Sequence, residues 1–338
     1  MILIKQIQER RKHIMKELKN LMGWRPDIKV VDCTLRDGGL VNNFFFTDEF
    51  VKQLYITNIK AGVDYMEMGY KASRELFDES RFGKWKFSDD EDIRAVVGDN
   101  ETGLKISVMA DVGRCDYKND IHKKNESPID LIRVATYINT IPQAVDMIED
   151  AADKGYETTV NIMAISQAQE TDVSVALDML GQTPVQCFYI VDSYGSIYPE
   201  QMTRIADLYL NAAEKYGKKV GIHAHNNQQL AFANTIEAVG CGVDFLDATY
   251  SGMGRGAGNC YIESLIGFLH NPKYNLYPVI KFVEKYINPM REQGVSWGYD
   301  MQYLFTGLLN RHPKVAIDYT KSGRKDLTEL YNEVILLD

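Results

Sequence analysis

Two histidines spaced two apart, an aspartate behind an arginine and an asparagine closing a glycine-rich loop are the residues of this chain best suited to chemistry. They lie in Cys33-Thr34-Leu35-Arg36-Asp37-Gly38-Gly39, His223-Ala224-His225-Asn226-Asn227 and Gly252-Met253-Gly254-Arg255-Gly256-Ala257-Gly258-Asn259. Each segment follows or ends an apolar, β-like run. On an extended strand residues i and i+2 share a face, so His223 and His225 can chelate one divalent ion. If the three strands are parallel, Asp37, both imidazoles and the Asn259 amide converge at one end of a sheet. Such a set leaves coordination positions open, and its oxygen and nitrogen donors suit Mn²⁺ or Mg²⁺ first, with Zn²⁺, Co²⁺ and Fe²⁺ as alternatives.

Other charged residues can gather around that ion. Arg36 can reach the same pocket as Asp37, where a guanidinium matches a carboxylate or a developing enolate oxygen; a salt bridge at the rim is the plainer alternative. Arg255 sits among glycines that let backbone N–H groups approach an anion, although the spacing fits no Walker loop and a tight turn with a solvated arginine fits equally. Glu67, an acid inside an apolar strand, is expected to face inward and pair with Arg36. Arg133 and Asp192-Ser193 are expected to project toward the same mouth, so Arg36, Glu67, Arg133 and Arg255 form the candidate substrate contacts. His13, His122, His270 and His312 stand in helical or loop contexts and read as packing or surface residues.

The elements that must position these residues repeat. From residue 28, β-rich segments recur roughly every 25 to 40 residues with helix-like stretches between them, the rhythm of βα units. Eight strands are expected, at Ile28-Cys33, Asp64-Met68, Lys105-Val108, Leu131-Ala135, Thr158-Ile162, Gln186-Val191, Lys219-His223 and Phe245-Ala248. Helical spacing marks Ile141-Lys154 and Pro199-Tyr216. An open nucleotide-binding sheet would carry G-x-G-x-x-G after its first strand; Arg36-Asp37-Gly38-Gly39 stands there instead, which favours a closed (β/α)₈ TIM barrel. The expected organisation is an N-terminal amphipathic helix and linker over residues 1–27, the barrel over 28–270, and a helical C-terminal extension over 271–338 that includes Pro278-Met290 and Asp300-Leu309. Ile4, Ile7, Ile14, Leu18 and Leu21 form the stripe of the first helix, which can plug the barrel or make a homo-oligomer.

Composition sets outer bounds. The 338 residues are 45 % apolar, enough for a large core, and the net charge of −9 argues against nucleic acid or anionic membrane as partners. Five scattered cysteines without a C-x-x-C pair suggest reduced, packed thiols. With neither a signal peptide nor an apolar run near 18 residues, a cytoplasmic location is expected.

Together these segments resemble the metal-dependent lyase and aldolase superfamily of 3-hydroxy-3-methylglutaryl-CoA lyase, isopropylmalate synthase and 4-hydroxy-2-oxovalerate aldolase, the last most closely. The resemblance covers about residues 28 to 270 and rests on Thr34-Leu35-Arg36-Asp37-Gly38, Arg133-Val134-Ala135-Thr136, Gly221 to Asn227 and Gly252 to Asn259. It implies Asp37, His223 and His225 as metal ligands with Asn259 as a fourth, Arg36 as the enolate-stabilising residue, and a small 2-oxo acid substrate cleaved to a pyruvate enolate. Two positions depart from the family. Leu40 stands where the aldolases have a histidine base and where the synthases continue R-D-G-E-Q, and Tyr137 replaces another aldolase histidine. Tyr70, Tyr137, Tyr299 or a water on the metal then becomes the candidate proton carrier. The leading expectation is an aldolase acting on a 4-hydroxy-2-oxo acid. A Claisen-type transferase joining an acyl-CoA to a 2-oxo acid and a non-catalytic barrel that binds metal and 2-oxo acid are the alternatives. The C-terminal extension does not match the aldolase segment that docks an aldehyde dehydrogenase, so that partner is not expected.

Overall fold

The computed structural model of the chain describes residues 22–337. The expected amphipathic stripe from Ile4 to Leu21 lies outside them. Eight parallel strands close into a barrel in sequence order: β1 Lys29–Asp32, β2 Tyr65–Tyr70, β3 Lys105–Asp111, β4 Leu131–Thr136, β5 Glu157–Ile162, β6 Cys187–Asp192, β7 Lys219–Ala224 and β8 Phe245–Ala248. The pairing of β1 with β8, Val31 opposite Asp247, completes the ring. All eight expected strands are present, with ends shifted by up to three residues, and the helices Ile141–Asp153 and Pro199–Tyr216 stand where helical spacing placed them. No helix among the described residues is long and apolar enough to cross a membrane. The five cysteines are free thiols, three of them buried.

The main apolar core lies between barrel and helices, where the outward side chains of the strands, such as Val30, Met66, Ile106 and Ile222, are fully buried. The barrel interior is partly polar. Glu67, Arg133 and Asp247 point inward and are inaccessible to solvent, below the rim and beside Tyr189.

Three local features differ from a simple reading of the sequence. The Arg36-Asp37-Gly38-Gly39 run belongs to a helix, α1 (Thr34–Asn42). The Asp32 carboxylate accepts from the Thr34 N–H (2.9 Å) and so supports its first turn at the end of β1. In β2 the register slips between Glu67 and Tyr70, where Gly69 has φ 135°. A Cβ there would meet the Trp85 carbonyl oxygen at 1.9 Å, so only glycine fits, and the slip turns Tyr70 toward the barrel mouth. Finally, the helix expected over Pro278-Met290 comprises Leu276–Phe282, a π-helical turn Val283–Ile287 and Asn288–Glu292. Pro289 has no N–H to donate, and the wider turn before it avoids the clash of its ring with the preceding carbonyls.

Helices Met301–Leu308, Lys314–Ser322 and Leu327–Ile335 pack around Phe305, Tyr319, Leu330 and Val334. The turn between the first two is tied to the barrel mouth through Asn310, which contacts the loops after β5 and β6.

Candidate active site

Asp37, His223 and His225 meet at the carboxyl end of the barrel, each contributing a potential ligand atom within 4.8 Å of the others, and all three are buried. His223 is the inward residue near the end of β7, and His225 follows one residue beyond the strand, so their rings lie 5.1 Å apart at 84°. The glycine-rich loop folds back on the end of β7 through a bridge between His225 and Asn259, which carries the amide to Asp37. Gly254 makes that approach possible: a Cβ there would sit 2.0 Å from Asn259 Nδ2 and 2.4 Å from Asp37 Oδ2.

Three polar atoms of the site are left unpaired. His223 Nε2, His225 Nδ1 and Asn259 Oδ1 are buried without any partner among the described residues. Buried acceptor-capable atoms left unpaired beside a carboxylate are costly unless a cation satisfies them, so these residues fit a divalent ion. Asp37 Oδ2 accepts from Asn259 Nδ2 (2.5 Å) and from the Arg255 N–H (3.3 Å), while Oδ1 accepts from Arg36 (2.9 Å). Burial raises the Asp37 pKa, but positive neighbours such as Arg36 and Arg255 outweigh it and hold the carboxyl well below its ordinary range. Burial also pushes the His225 imidazole far down, so it is a neutral ligand.

Beneath the ligands runs a chain of buried ion pairs. Arg36 Nη1 bonds Asp37 and its Nε bonds Glu67 (2.8 Å); Arg133 then bridges Glu67 (3.0 Å) and Asp247 (2.6 Å); and Asp247 Oδ2 accepts from His223 Nδ1 (3.0 Å). The last bond fixes the His223 tautomer, with the proton on Nδ1 and the lone pair of Nε2 aimed at the ion site. Arg133 and His223 hold the Asp247 carboxyl below its usual pKa against the opposing effect of burial. A second cluster, Cys33 with His223 and Asp247, is consumed by this network: Cys33 Sγ accepts from Arg133 (3.3 Å), and burial pushes its thiol up.

A cavity of about 70 Å³ lies above the ligands. Arg36, Asp37, His223, His225, Arg255, Tyr70 and Tyr137 line it, together with Leu40. Glu67 and Arg133, expected as substrate contacts, do not reach its wall; both are fully buried below it and act on Arg36 and, through Asp247, on His223 instead. Tyr299 is also elsewhere, exposed, with its hydroxyl 3.6 Å from Met301 Sδ. Asp192 is spent on the backbone N–H groups of Ser196 and Ile197. The Arg255 N–H serves Asp37, and the Arg255 guanidinium donates to the Ser193 carbonyl (2.8 Å) while facing the cavity.

Three residues of the site had no motif to mark them. Asp247 had only the signal of a lone acid in β8. Tyr194 and His312 line the cavity from the loop after β6 and from the C-terminal extension, their rings 5.6 Å apart. His312 Nδ1 accepts from the Lys314 N–H (3.1 Å), so the neutral ring carries its proton on Nε2. Desolvation and the positive Arg255, Lys314 and Arg114 push its pKa to about 4. Burial raises the phenol pKa of Tyr70 and of Tyr194. The cavity is thus furnished with proton donors, and Leu40 supplies no acceptor.

The profile of the family described as HMGL-like matches residues 27–284. Among curated relatives, an oxaloacetate decarboxylase of Mycobacterium tuberculosis is 32 % identical over 245 residues, covering 71 % of this chain and 69 % of the relative. A 4-hydroxy-2-oxovalerate aldolase of Pelotomaculum thermopropionicum is 28 % identical over 254 residues, covering 74 % and 72 %. A solved N-terminal domain from Bacteroides vulgatus superposes with a TM-score of 0.72 at 27 % identity, covering 87 % of this chain and 97 % of that one.

Proposed function

The chain belongs to the HMGL-like family, and from that premise we propose that this metal-dependent carbon–carbon lyase cleaves or forms the C3–C4 bond of a 4-hydroxy-2-oxo acid, with a pyruvate enolate as the shared fragment. The observation that carries the reading is the meeting of buried Asp37, His223 and His225 beside the anchored Arg36, with His223 Nε2, His225 Nδ1 and the neighbouring Asn259 Oδ1 left without a partner among the described residues. Asp37, His223, His225 and Asn259 would hold the divalent ion, which when bound supplies a Lewis acid for the carboxylate and keto oxygens of a 2-oxo acid. Arg36 is gripped by Asp37 and Glu67, so its guanidinium meets the negative charge developing on the enolate oxygen without reorganising. Tyr70, Tyr137 and Tyr194 offer phenolic protons at the cavity wall.

A second reading, decarboxylation of a 2-oxo acid bearing a carboxylate on C3, is favoured by Leu40 and by the tautomer of His312. Aldol cleavage needs an acceptor for the C4 hydroxyl proton, whereas loss of CO₂ needs only enolate stabilisation followed by protonation. The similarity to the oxaloacetate decarboxylase supports it.

One set of measurements separates these readings: Mn²⁺-dependent exchange of the pyruvate methyl protons with deuterium, and pyruvate release from 4-hydroxy-2-oxovalerate and from oxaloacetate. Exchange abolished in Asp37→Ala and Arg36→Ala is the expected result. Absence of exchange and of turnover on both substrates in the Mn²⁺-loaded protein would leave the non-catalytic barrel as the better account.

A further inference from the structure

The catalytic cavity adjoins, at Tyr194 and His312, a second cavity of about 700 Å³ whose outer wall is built by the C-terminal helices. The charges on that wall cancel in pairs, Lys314 with Asp318 and Arg324 with Glu333 (2.7 Å). Arg311 remains. Among the described residues no carboxylate forms an ion pair with it, and its buried Nε has no hydrogen-bond partner. An unmatched guanidinium lining an open cavity is notable in a chain of net charge −9.

The turn that carries Arg311 is fixed to the barrel. Asn310 Oδ1 accepts from Ser166 Oγ (2.7 Å) and Ser196 Oγ (2.8 Å), its Nδ2 donates to the Ser166 carbonyl (3.0 Å), and its own carbonyl accepts from Gln167 (2.9 Å). Ser166 and Gln167 follow β5 and Ser196 follows β6, so Arg311 is held in register with the catalytic cavity. The space above the ligands is small and adjoins the larger cavity at Tyr194 and His312, which gives a longer substrate room to extend there.

We propose that this chamber receives the distal part of the substrate and that Arg311 binds a carboxylate or phosphate at its end. The cognate aldehyde fragment is then an anionic one. This rests on the enolate-lyase reading of the neighbouring cavity and deepens it by naming the substrate class. A guanidinium gives such a group charge-assisted, bidentate hydrogen bonds, and the neutral His312 lies at the neck as an Nε2–H donor.

The test is calorimetric titration of the full chain, loaded with Mn²⁺ and with oxalate as an inert stand-in for the enolate. The probes are butanal, succinic semialdehyde and glyceraldehyde 3-phosphate. At least one anionic aldehyde is expected to bind about ten- to a hundred-fold more tightly than butanal. That advantage should vanish in Arg311→Met and survive in part in Arg311→Lys, with both variants checked for native circular dichroism. Whichever of the two anions gains more identifies the terminal group. Equal binding of all three aldehydes, or an anionic advantage unchanged in Arg311→Met, would overturn the proposal. Binding is read directly, so the result stands without turnover, and failure of the lyase reading shows separately as missing Mn²⁺-dependent exchange of the pyruvate methyl protons.

Discussion

Replacing Asp247 with asparagine tests whether the buried ion-pair chain governs the metal site. The Asp247 carboxylate holds Arg133 Nη2 at 2.6 Å and His223 Nδ1 at 3.0 Å, and all three side chains are almost inaccessible to solvent. Asparagine keeps the shape and one acceptor but removes the charge and adds an NH₂ group with nowhere to donate. Losing one partner of a buried pair costs roughly 3–5 kcal/mol, and the surviving amide acceptor places this variant toward the lower end, about 3 kcal/mol. Loosening the orientation of His223 should weaken metal binding by about 10- to 100-fold, equivalent to about 1.4 to 2.7 kcal/mol. Glu67→Gln is the matched control, since it removes a charge from the same chain but touches Arg36 and Arg133 rather than His223. Metal affinity would be measured by titrating chelator-stripped protein with Mn²⁺, and stability by urea unfolding. Asp247→Asn should lose affinity well beyond Glu67→Gln, while Glu67→Gln should lose turnover through a misplaced Arg36. A folded Asp247→Asn protein with the wild-type Mn²⁺ dissociation constant would refute the orienting role. The pH dependence follows the same bond. Asp247 has a depressed folded pKa, so its stabilisation is present above the ordinary aspartate value near ~3.9 and fades as pH falls through the lower folded value; the variant should lack that part of the acid transition.

Further expectations concern the cavity wall and its loops. Leu40→His, on the exposed side of α1 at the cavity edge, should raise pyruvate release from 4-hydroxy-2-oxovalerate by about 100-fold or more if a proton acceptor is limiting, and leave oxaloacetate decarboxylation unchanged; equal effects on both would discount that account. Gly254→Ala should abolish Mn²⁺ binding in calorimetry while preserving the far-ultraviolet spectrum, because the added methyl falls on Asn259 and Asp37. The His312 imidazole should titrate near pH 4 in NMR, staying neutral at pH 6; a midpoint near 6.5 would contradict its placement among Arg255, Lys314 and Arg114.

The barrel was legible because βα repetition is a long-range periodic signal that survives shifts of a residue or two at the strand ends. The ligands were legible because their spacing is local: His223 and His225 lie two residues apart, and Arg36 precedes Asp37. Depth along a strand was not. Glu67 and Arg133 point inward as alternation demands, yet inward-facing residues are stacked in layers, and only the register of the closed barrel decides whether a layer lies at the mouth or below it. Asp247 escaped because its partners are 114 and 24 residues away. The aim of Tyr70 depends on a slip in β2, and the place of His312 depends on where Asn310 is pinned, neither of which has a hydrophobic period to announce it.

The chain of buried pairs also explains why a dianionic substrate would need a cation beyond that chain. From Asp37 through Arg36, Glu67 and Arg133 to Asp247, three carboxylates face two guanidiniums, leaving one excess negative charge in a region shielded from water. A buried charge of that kind requires a counterion, and His225, whose pKa burial pushes far down, supplies none. A divalent ion converts the excess to one positive charge, and a monoanionic 2-oxo acid head then brings this part of the site to neutrality. A second negative charge on the substrate has no counterpart in that balance. It must be met by a cation held apart from the pairs below: Arg255 at the cavity wall, whose guanidinium bonds only the Ser193 carbonyl, or Arg311, facing the adjoining cavity without a carboxylate partner among the described residues.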